Sequence, residues 1–384
     1  MENLTIAVVC PYYPWPPSVG GVENTVKTVS VELARRGHEV HVVCSNLGVT
    51  PMKKISDVGV EERDGIIIHS LEPSGLRVGY ARFLKDLKKT IKSIRPTVVH
   101  SHNLHPHLFQ LARWRSEFSY RLVVELHHPA VTIDTLAGKV AFPFAVWRLR
   151  STRREIDAFV AHTSLEKTWL IEKGIKPEKV SEIFLPGVPL EMFSYESNPS
   201  ASHNLLFVGR IMRTKGLHIL VEAMSNVVSR VKDVSLILAG PENPDYVHFL
   251  RSRLLELGLE DYVCFVGSVF GRQKYDLMVK SALFVLPSLR EYTPNVLLEA
   301  EALGIPVVAT KIGAVSEMMV DGETGRLINS GDSAELGKVL GDLLLDDATR
   351  TIMAKKAREF SRRFTLDGAI NKLESAYLGL TEQA

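Results

Sequence analysis

Two glutamates eight residues apart, Glu291 and Glu299, flank the segment Thr293-Pro294-Asn295-Val296. Carboxylates accept hydrogen bonds from hydroxyls, and the first amides of a helix offer unpaired donors and a positive dipole end to an anion. The apolar spacing of Val296, Leu297, Ala300 and Leu303 predicts a helix here, with Thr293 as N-cap, Pro294 in the first turn, and Gly304 and Pro306 as terminators. The segment is an anion seat with a carboxylate on either side. It suits a ligand with phosphates in its middle and polyols at its ends, as in a nucleotide-sugar. Two cations belong with it. Gly209-Arg210 and Lys215-Gly216 supply a guanidinium fork and a point charge fit for a diphosphate, without the Gly-x-x-x-x-Gly-Lys of a P-loop.

The elements that must position these residues read as alternating strands and helices. Residues 282–287 and 306–310 are strand-like, so with the helix between them they form a βαβ unit, and the helix starts at the carboxyl edge of a parallel sheet. Strands over 205–209, 236–240 and 263–267 end at the same edge and bring Gly240 and Val266 to it, and the segments 334–345, 347–364 and 366–380 read as helices. In the first half, a strand over 4–10 runs into the loop PYYPWPPSVGG, whose Gly20-Gly21 precedes a helix running from Val22 to Gly37 and a strand over 39–44. The absence of Gly-x-Gly-x-x-Gly at this turn argues against a dinucleotide-binding oxidoreductase. Residues 76–95 are expected to form a basic amphipathic helix.

Histidines crowd two strand ends. The strand over 97–101 exits through His100, His102, His105 and His107, and the strand over 122–126 exits through His127-His128. His-x-His at a strand end can begin a metal site, but no comparable set of acids and histidines follows on later strands, so no metal is expected. Polar residues rimming a cleft is the reading preferred. His127 and His128, as neighbours on an extended strand, are expected to point to opposite sides, so that only one faces that cleft.

The pair Glu291 and Glu299, followed by Ala300, Gly304, Pro306-Val307-Val308 and Glu317, resembles the signature of retaining glycosyltransferases of family 4. The resemblance implies the GT-B fold, an α/β architecture of two doubly wound Rossmann-like domains facing across a cleft. The Ser/Asn/Pro-rich stretch 194–204 places their boundary, giving an acceptor-side domain over 1–195, joined by a C-terminal helix over 366–384, and a donor domain over 196–365. By the same resemblance Glu291 touches the donor sugar, Glu299 the ribose, and Arg210 and Lys215 the diphosphate, while His127 contacts sugar at its strand mouth. Gly20, Gly21, Gly209, Gly240, Val266, Thr293, Pro294, Asn295 and Val296 complete the donor site. Tyr13, His102 and His128 are acceptor-side candidates, with Tyr12 and Trp15 as further stacking surfaces. The sequence departs from the family at Pro186-Gly187-Val188-Pro189, where Asn-Gly-Val-Asp is usual.

The implied activity moves a sugar from a UDP- or GDP-sugar to a glycan, lipid-linked or small-molecule acceptor. The alternatives are an epimerase of the same fold and a non-catalytic nucleotide-sugar-binding protein. No cofactor is expected, since the chain has no Asp-x-Asp to hold a divalent ion on the diphosphate. The net charge of +2 gives no case for nucleic acid. Cys10, Cys44 and Cys264 read as buried small hydrophobes of a reducing compartment rather than a disulfide framework or a zinc site. With neither a leader nor a run of about 20 apolar residues, a cytoplasmic location is expected. Phe142, Phe144 and Trp147 beside Arg148, Arg150, Arg153 and Arg154 suggest peripheral contact with an anionic membrane face.

Overall fold

The computed structural model describes residues 3–15, 21–48, 54, 56–78, 81–127 and 136–382. The chain divides into two compact units, 1–186 with 368–384, and 187–367.

Unit 1 opens with β1 (Thr5–Val9), α1 (Gly21–Arg35) and β2 (Glu39–Ser45). Then come β3 (Gly59–Arg63), β4 (Ile66–Leu71), β5 (Pro73–Val78) and β6 (Ala81–Leu84). They are followed by α2 (Leu87–Ile94), β7 (Val98–His102), α3 (Pro106–Phe118) and β8 (Arg121–Glu125). α4 (Leu136–Thr152), β9 (Ala158–Ala161), α5 (Ser164–Glu172) and β10 (Val180–Glu182) complete its first segment. The main sheet has the order β10-β9-β8-β7-β1-β2-β4-β3, parallel except for β3. Its strands are continuous Val/Ile/Leu runs because helices cover both faces, and Ile6, Val42, Val99 and Leu122 are fully enclosed.

Unit 2 repeats the plan. It contains β11 (Asn204–Val208), α6 (Leu217–Arg230), β12 (Ser235–Ala239), α7 (Pro244–Leu257) and β13 (Val263–Gly267). α8 (Gly271–Val279), β14 (Leu283–Leu286), α9 (Asn295–Ala302), β15 (Val307–Thr310) and α10 (Val315–Met318) follow. β16 (Gly325–Ile328), α11 (Ser333–Leu344) and α12 (Asp347–Ser361) end it. The sheet is parallel throughout, in the order β13-β12-β11-β14-β15-β16. In each unit the strand order reverses beside the first strand, between β1 and β7 and between β11 and β14. Crevices outside the carboxyl ends at such reversals are where open α/β sheets take ligands.

The last helix, α13 (Leu366–Thr381), contributes to unit 1 from Gly368 onward. Tyr377 is fully buried with its hydroxyl 2.7 Å from His100 Nδ1, and Glu374 meets His38 Nε2 at 3.0 Å and the Arg36 guanidinium.

Three expectations need correction. The division falls after Pro186 rather than at 195, because Val188 exchanges backbone hydrogen bonds with Phe364 and Leu366, and the Arg358 guanidinium binds the carbonyls of Phe193 and Tyr195. The single helix expected over 76–95 is instead the β5–β6 ribbon and the eight-residue α2. Asp86, in left-handed conformation at φ 58°, separates them, so only Leu87 and Ile91 are buried on the helix. Helix α9 starts one residue late: Pro294, not Thr293, is its N-cap, and the Pro294 carbonyl accepts from Leu297 N at 2.9 Å.

Candidate functional site

At the β11–β14 reversal of unit 2, two loops are pressed together. Gly216 turns with φ 67°, and a Cβ there would lie 1.9 Å from the carbonyl oxygen of Pro287. Leu289 N donates to Thr214 O at 2.9 Å, and Ala314 N donates to Tyr292 O at 3.1 Å. Gly313 closes the other side, where a Cβ would come within 2.3 Å of Glu291 O. Backbone contacts thus hold the loop carrying Glu291 from two directions.

That clamp brings Lys215 Nζ to 2.5 Å from Glu291 Oε2. On the second turn of α9, Glu299 Oε2 accepts from Lys274 Nζ at 2.6 Å. The side chains of these four residues keep 10 to 18% of their surface exposed, so both pairs remain within reach of a ligand. Between the two carboxylates lies the start of α9, where no side chain caps the first amides. Asn295, its first residue, has a buried Oδ1 with no partner among the described residues. Arg210 is exposed just past the end of β11. Gly209 and Gly240 follow neighbouring strands, with Gly209 N donating to Ala239 O at 2.9 Å and Gly240 N to Gly267 O at 2.7 Å. Val266 is 42% exposed on the edge strand β13. The structure therefore gathers Lys215, Glu291, Glu299 and the α9 start. It adds Lys274, on α8, which no spacing in the sequence singles out.

In unit 1 the corresponding edge is built of histidines. His100 and His102 alternate along β7 and so share a face, and Glu125 on β8 lies in register with His102. β9 ends one residue before His162, whose backbone N donates to Glu166 Oε2 at 2.9 Å beside the Thr163 cap of α5. His127 adopts φ 59°, so the strand alternation expected for His127 and His128 does not apply: its ring folds back over the sheet end. His128 and Gly20 lie outside the described residues.

Glu125 is fully buried, with Oε1 2.8 Å from His162 Nε2, 2.9 Å from His127 Nε2 and 3.7 Å from His102 Nδ1. Burial alone would raise its pKa, but the surrounding imidazoles outweigh burial and hold it well below the usual carboxylate range. Burial pushes His100 down to about 4 and His102 well below the ordinary histidine value, each opposed in part by Glu125. For His162 burial also acts downward, yet the charge and hydrogen bond of Glu125 win and the value rises. Glu125 and His162 were not singled out in the sequence. The signal was there, since three adjacent parallel strands each run out into a histidine.

His102 is only 1% exposed, stacked between His100 and His127 at centroid distances of 4.5 and 5.1 Å, so it does not offer itself to an acceptor. Tyr13 and Trp15 are also inward-facing. The Tyr13 hydroxyl donates to Glu61 at 2.5 Å and Trp15 Nε1 to Asp64 at 3.0 Å, pinning the loop after β1 to the β3–β4 hairpin. Tyr12 is buried too. The stacking role expected of these aromatics is replaced by anchoring. Gly21 opens α1 on the exposed side, with nothing within 4 Å of where a Cβ would sit.

The family model described as Glycosyltransferase Family 4 matches residues 19–191, and that described as Glycosyl transferases group 1 matches residues 193–360. A D-inositol 3-phosphate glycosyltransferase of Corynebacterium urealyticum is 28% identical over 245 residues, 58% of this chain and 57% of that protein. The chain thus spans little more than half the length of that relative. An N-acetyl-alpha-D-glucosaminyl L-malate synthase of Bacillus anthracis is 25% identical over 392 residues, 98% of this chain and 97% of its own. Among solved structures, Anabaena HepE in complex with UDP superposes with TM-score 0.78 at 20% identity, over 97% of this chain and 99% of that one. A sucrose-phosphate synthase of Thermosynechococcus elongatus gives TM-score 0.81 at 19% identity, over 99% of both chains.

Proposed function

The chain belongs to glycosyltransferase family 4 and has the GT-B fold, and from that premise we propose that it transfers a sugar, with retention, from a UDP- or GDP-sugar to an acceptor recognised by unit 1. The observation that carries this reading is the Lys215–Glu291 pair beside the uncapped start of α9, with Lys274–Glu299 on the far side. Without donor, each carboxylate holds a lysine. When a nucleotide-sugar enters, its diphosphate competes for Lys215, and Glu291 is released to accept hydrogen bonds from sugar hydroxyls. Arg210, Lys215 and the α9 amides then stabilise the negative charge that builds on the departing nucleotide. Glu299, steadied by Lys274, takes the ribose hydroxyls. These fixed charges do the work that a divalent ion on the diphosphate would do, and turnover abolished by EDTA and restored by magnesium would overturn this point.

Glu291 is assigned to positioning the donor sugar, with the leaving phosphate accepting the proton of an acceptor attacking from the same face. Trapping a glycosyl adduct on Glu291 would instead make it a nucleophile. The acceptor is a glycan, a lipid-linked sugar or a small molecule, and the names of the two curated relatives carry small anionic partners, malate and inositol phosphate.

The test is NMR of the protein with a panel of UDP- and GDP-sugars, beside Glu291→Gln. Slow release of nucleoside diphosphate from one donor, lost in the variant, is the expected result. Conversion of a donor into its epimer, or binding without turnover in the presence of acceptors, would replace the transferase with an epimerase or a sensor.

No described helix is long and apolar enough to cross a membrane. On α4, Phe144 and Trp147 are 61% and 59% exposed and stack at 5.6 Å, with Arg150 exposed beside them. This face supports peripheral contact with an anionic inner leaflet. Co-sedimentation with anionic liposomes should weaken when Arg148, Arg150, Arg153 and Arg154 become Gln, and binding that is indifferent to the change would count against it.

A further inference from the structure

We infer that unit 1 binds a divalent transition-metal ion of the zinc class through His102 Nδ1, Glu125 Oε1, His127 Nε2 and His162 Nε2. The residues come from the carboxyl ends of three adjacent strands, β7, β8 and β9, and all are at least 95% buried. Besides the three distances to Glu125 Oε1, His102 Nδ1 and His127 Nε2 are 2.8 Å apart. Four ligands about 2.0–2.1 Å from a tetrahedral ion lie roughly 3.3 Å from one another. Of the six edges of such a tetrahedron, four are 2.8, 2.8, 2.9 and 3.7 Å and bracket that length, and the ligand atoms of Glu125, His127 and His162 all lie within 4.8 Å of one another. Three imidazole nitrogens and one carboxylate oxygen are a donor set that zinc takes.

Hydrogen bonds alone fill this cluster poorly. A neutral imidazole nitrogen carries either a hydrogen or a lone pair. His127 Nε2 lies within bonding distance of both Glu125 Oε1 and His102 Nδ1, so it either shares one hydrogen between two acceptors or accepts from His102 and turns its lone pair toward the carboxylate. The other carboxylate oxygen, Glu125 Oε2, and the facing His100 Nε2 stand 3.4 Å apart, buried, each with no hydrogen-bond partner among the described residues. Buried polar atoms left this way are costly, and among the described residues the ionic partners of Glu125 are histidines. A cation among the nitrogens uses their lone pairs and neutralises the carboxylate. His100, with its Nδ1 held by the Tyr377 hydroxyl, is then placed to orient the second carboxylate oxygen. An ion on Nε2 of His127 leaves that ring's proton on Nδ1, so the histidine would meet a sugar hydroxyl as a donor. Of the His-x-His on β7 only His102 is a ligand, and the set is complete only with Glu125, His127 and His162.

The ion belongs to unit 1 and takes no part in the leaving-group chemistry proposed for unit 2, so binding is the readout. Full-length protein, stripped with chelator and dialysed against Zn2+, is assayed for bound metal, and the Co2+ form for the visible absorption of a tetrahedral site. About one ion per chain is expected, with affinity weakened at least about tenfold in His162→Ala and in His102→Ala. His69→Ala is the control, removing a histidine paired with His41 at 3.0 Å elsewhere in the unit, and should leave binding unchanged. Should either cluster variant fail to fold, the Co2+ spectrum of the unmodified chain decides. Absence of stoichiometric binding, a spectrum without the tetrahedral band, or binding that persists unchanged in both folded variants overturns the inference.

Discussion

In unit 2, Glu291 and Glu299 each meet one lysine, at 2.5 and 2.6 Å, and keep part of their surface in solvent. In unit 1, Glu125 sits at the same edge of an equivalent sheet, wholly enclosed, and its ionic partners are imidazoles. Lysine is a flexible point charge, so its contact with a carboxylate is readily exchanged for one with a phosphate. An enclosed carboxylate among rings has no such freedom, since any rearrangement exposes an unpaired charge to a medium of low polarity. One edge is built to trade partners and the other to hold them.

Matching substitutions in the two units test this contrast. Glu125→Ala should destabilise the fold by roughly 3–5 kcal/mol, because it strands several buried imidazoles. Glu291→Ala should cost less than about 1 kcal/mol, being a partly exposed pair. Denaturant titration of both variants measures the difference, and equal losses would erase the distinction. Lys215→Ala should lower turnover of the donor by about a hundred- to a thousandfold without unfolding the protein, as loss of one preorganised charge at a leaving group does. Steady-state kinetics against a folded control reads this. Lys274→Ala acts through Glu299 and should show mainly in KM for the donor, rising about tenfold, since a charge-assisted hydrogen bond is weakened while the leaving group keeps its partners. A fall in kcat with KM unchanged would contradict that positioning role.

The smallest effect concerns Glu301 on α9, which points away from this chemistry. It is fully buried, and burial raises its pKa well above the usual range, with the Thr324 hydroxyl pulling partly back. Because the folded value exceeds the unfolded one of about 4.3, the stability tied to its proton is fully present below that pH. It is lost as pH rises toward the folded value. Glu301→Gln should therefore flatten the decline in thermal stability between mildly acidic and alkaline pH. An unchanged profile would mean that the acid ionises in place.

Unit 2 was more legible in the sequence than unit 1 because its site is local. Glu291, Pro294 and Glu299 lie on one loop and the helix that follows it, and Lys215 sits at a strand-to-helix turn whose glycine marks it. Lys274 reaches Glu299 only through tertiary packing, and nothing in Gly-Arg-Gln-Lys announces that. In unit 1 the apolar runs marked the strands well, but the site is made across them. Tyr13 and Trp15 looked like binding surfaces because composition does not say which way an aromatic faces, and their polar tips were already committed to Glu61 and Asp64. The basic stretch 76–95 matched a helical period, yet Asp86 in left-handed conformation divides it.

Tyr377 meets His100 from the far end of the chain, 277 positions later. During synthesis, the histidine edge of unit 1 must therefore wait for all of unit 2 to leave the ribosome before its last ring is in place. At roughly 5–20 residues per second, that wait is on the order of ten seconds or more. For that interval the nascent first half exists with a gap at the buried heart of its sheet, and a chain interrupted within unit 2 leaves the gap unfilled.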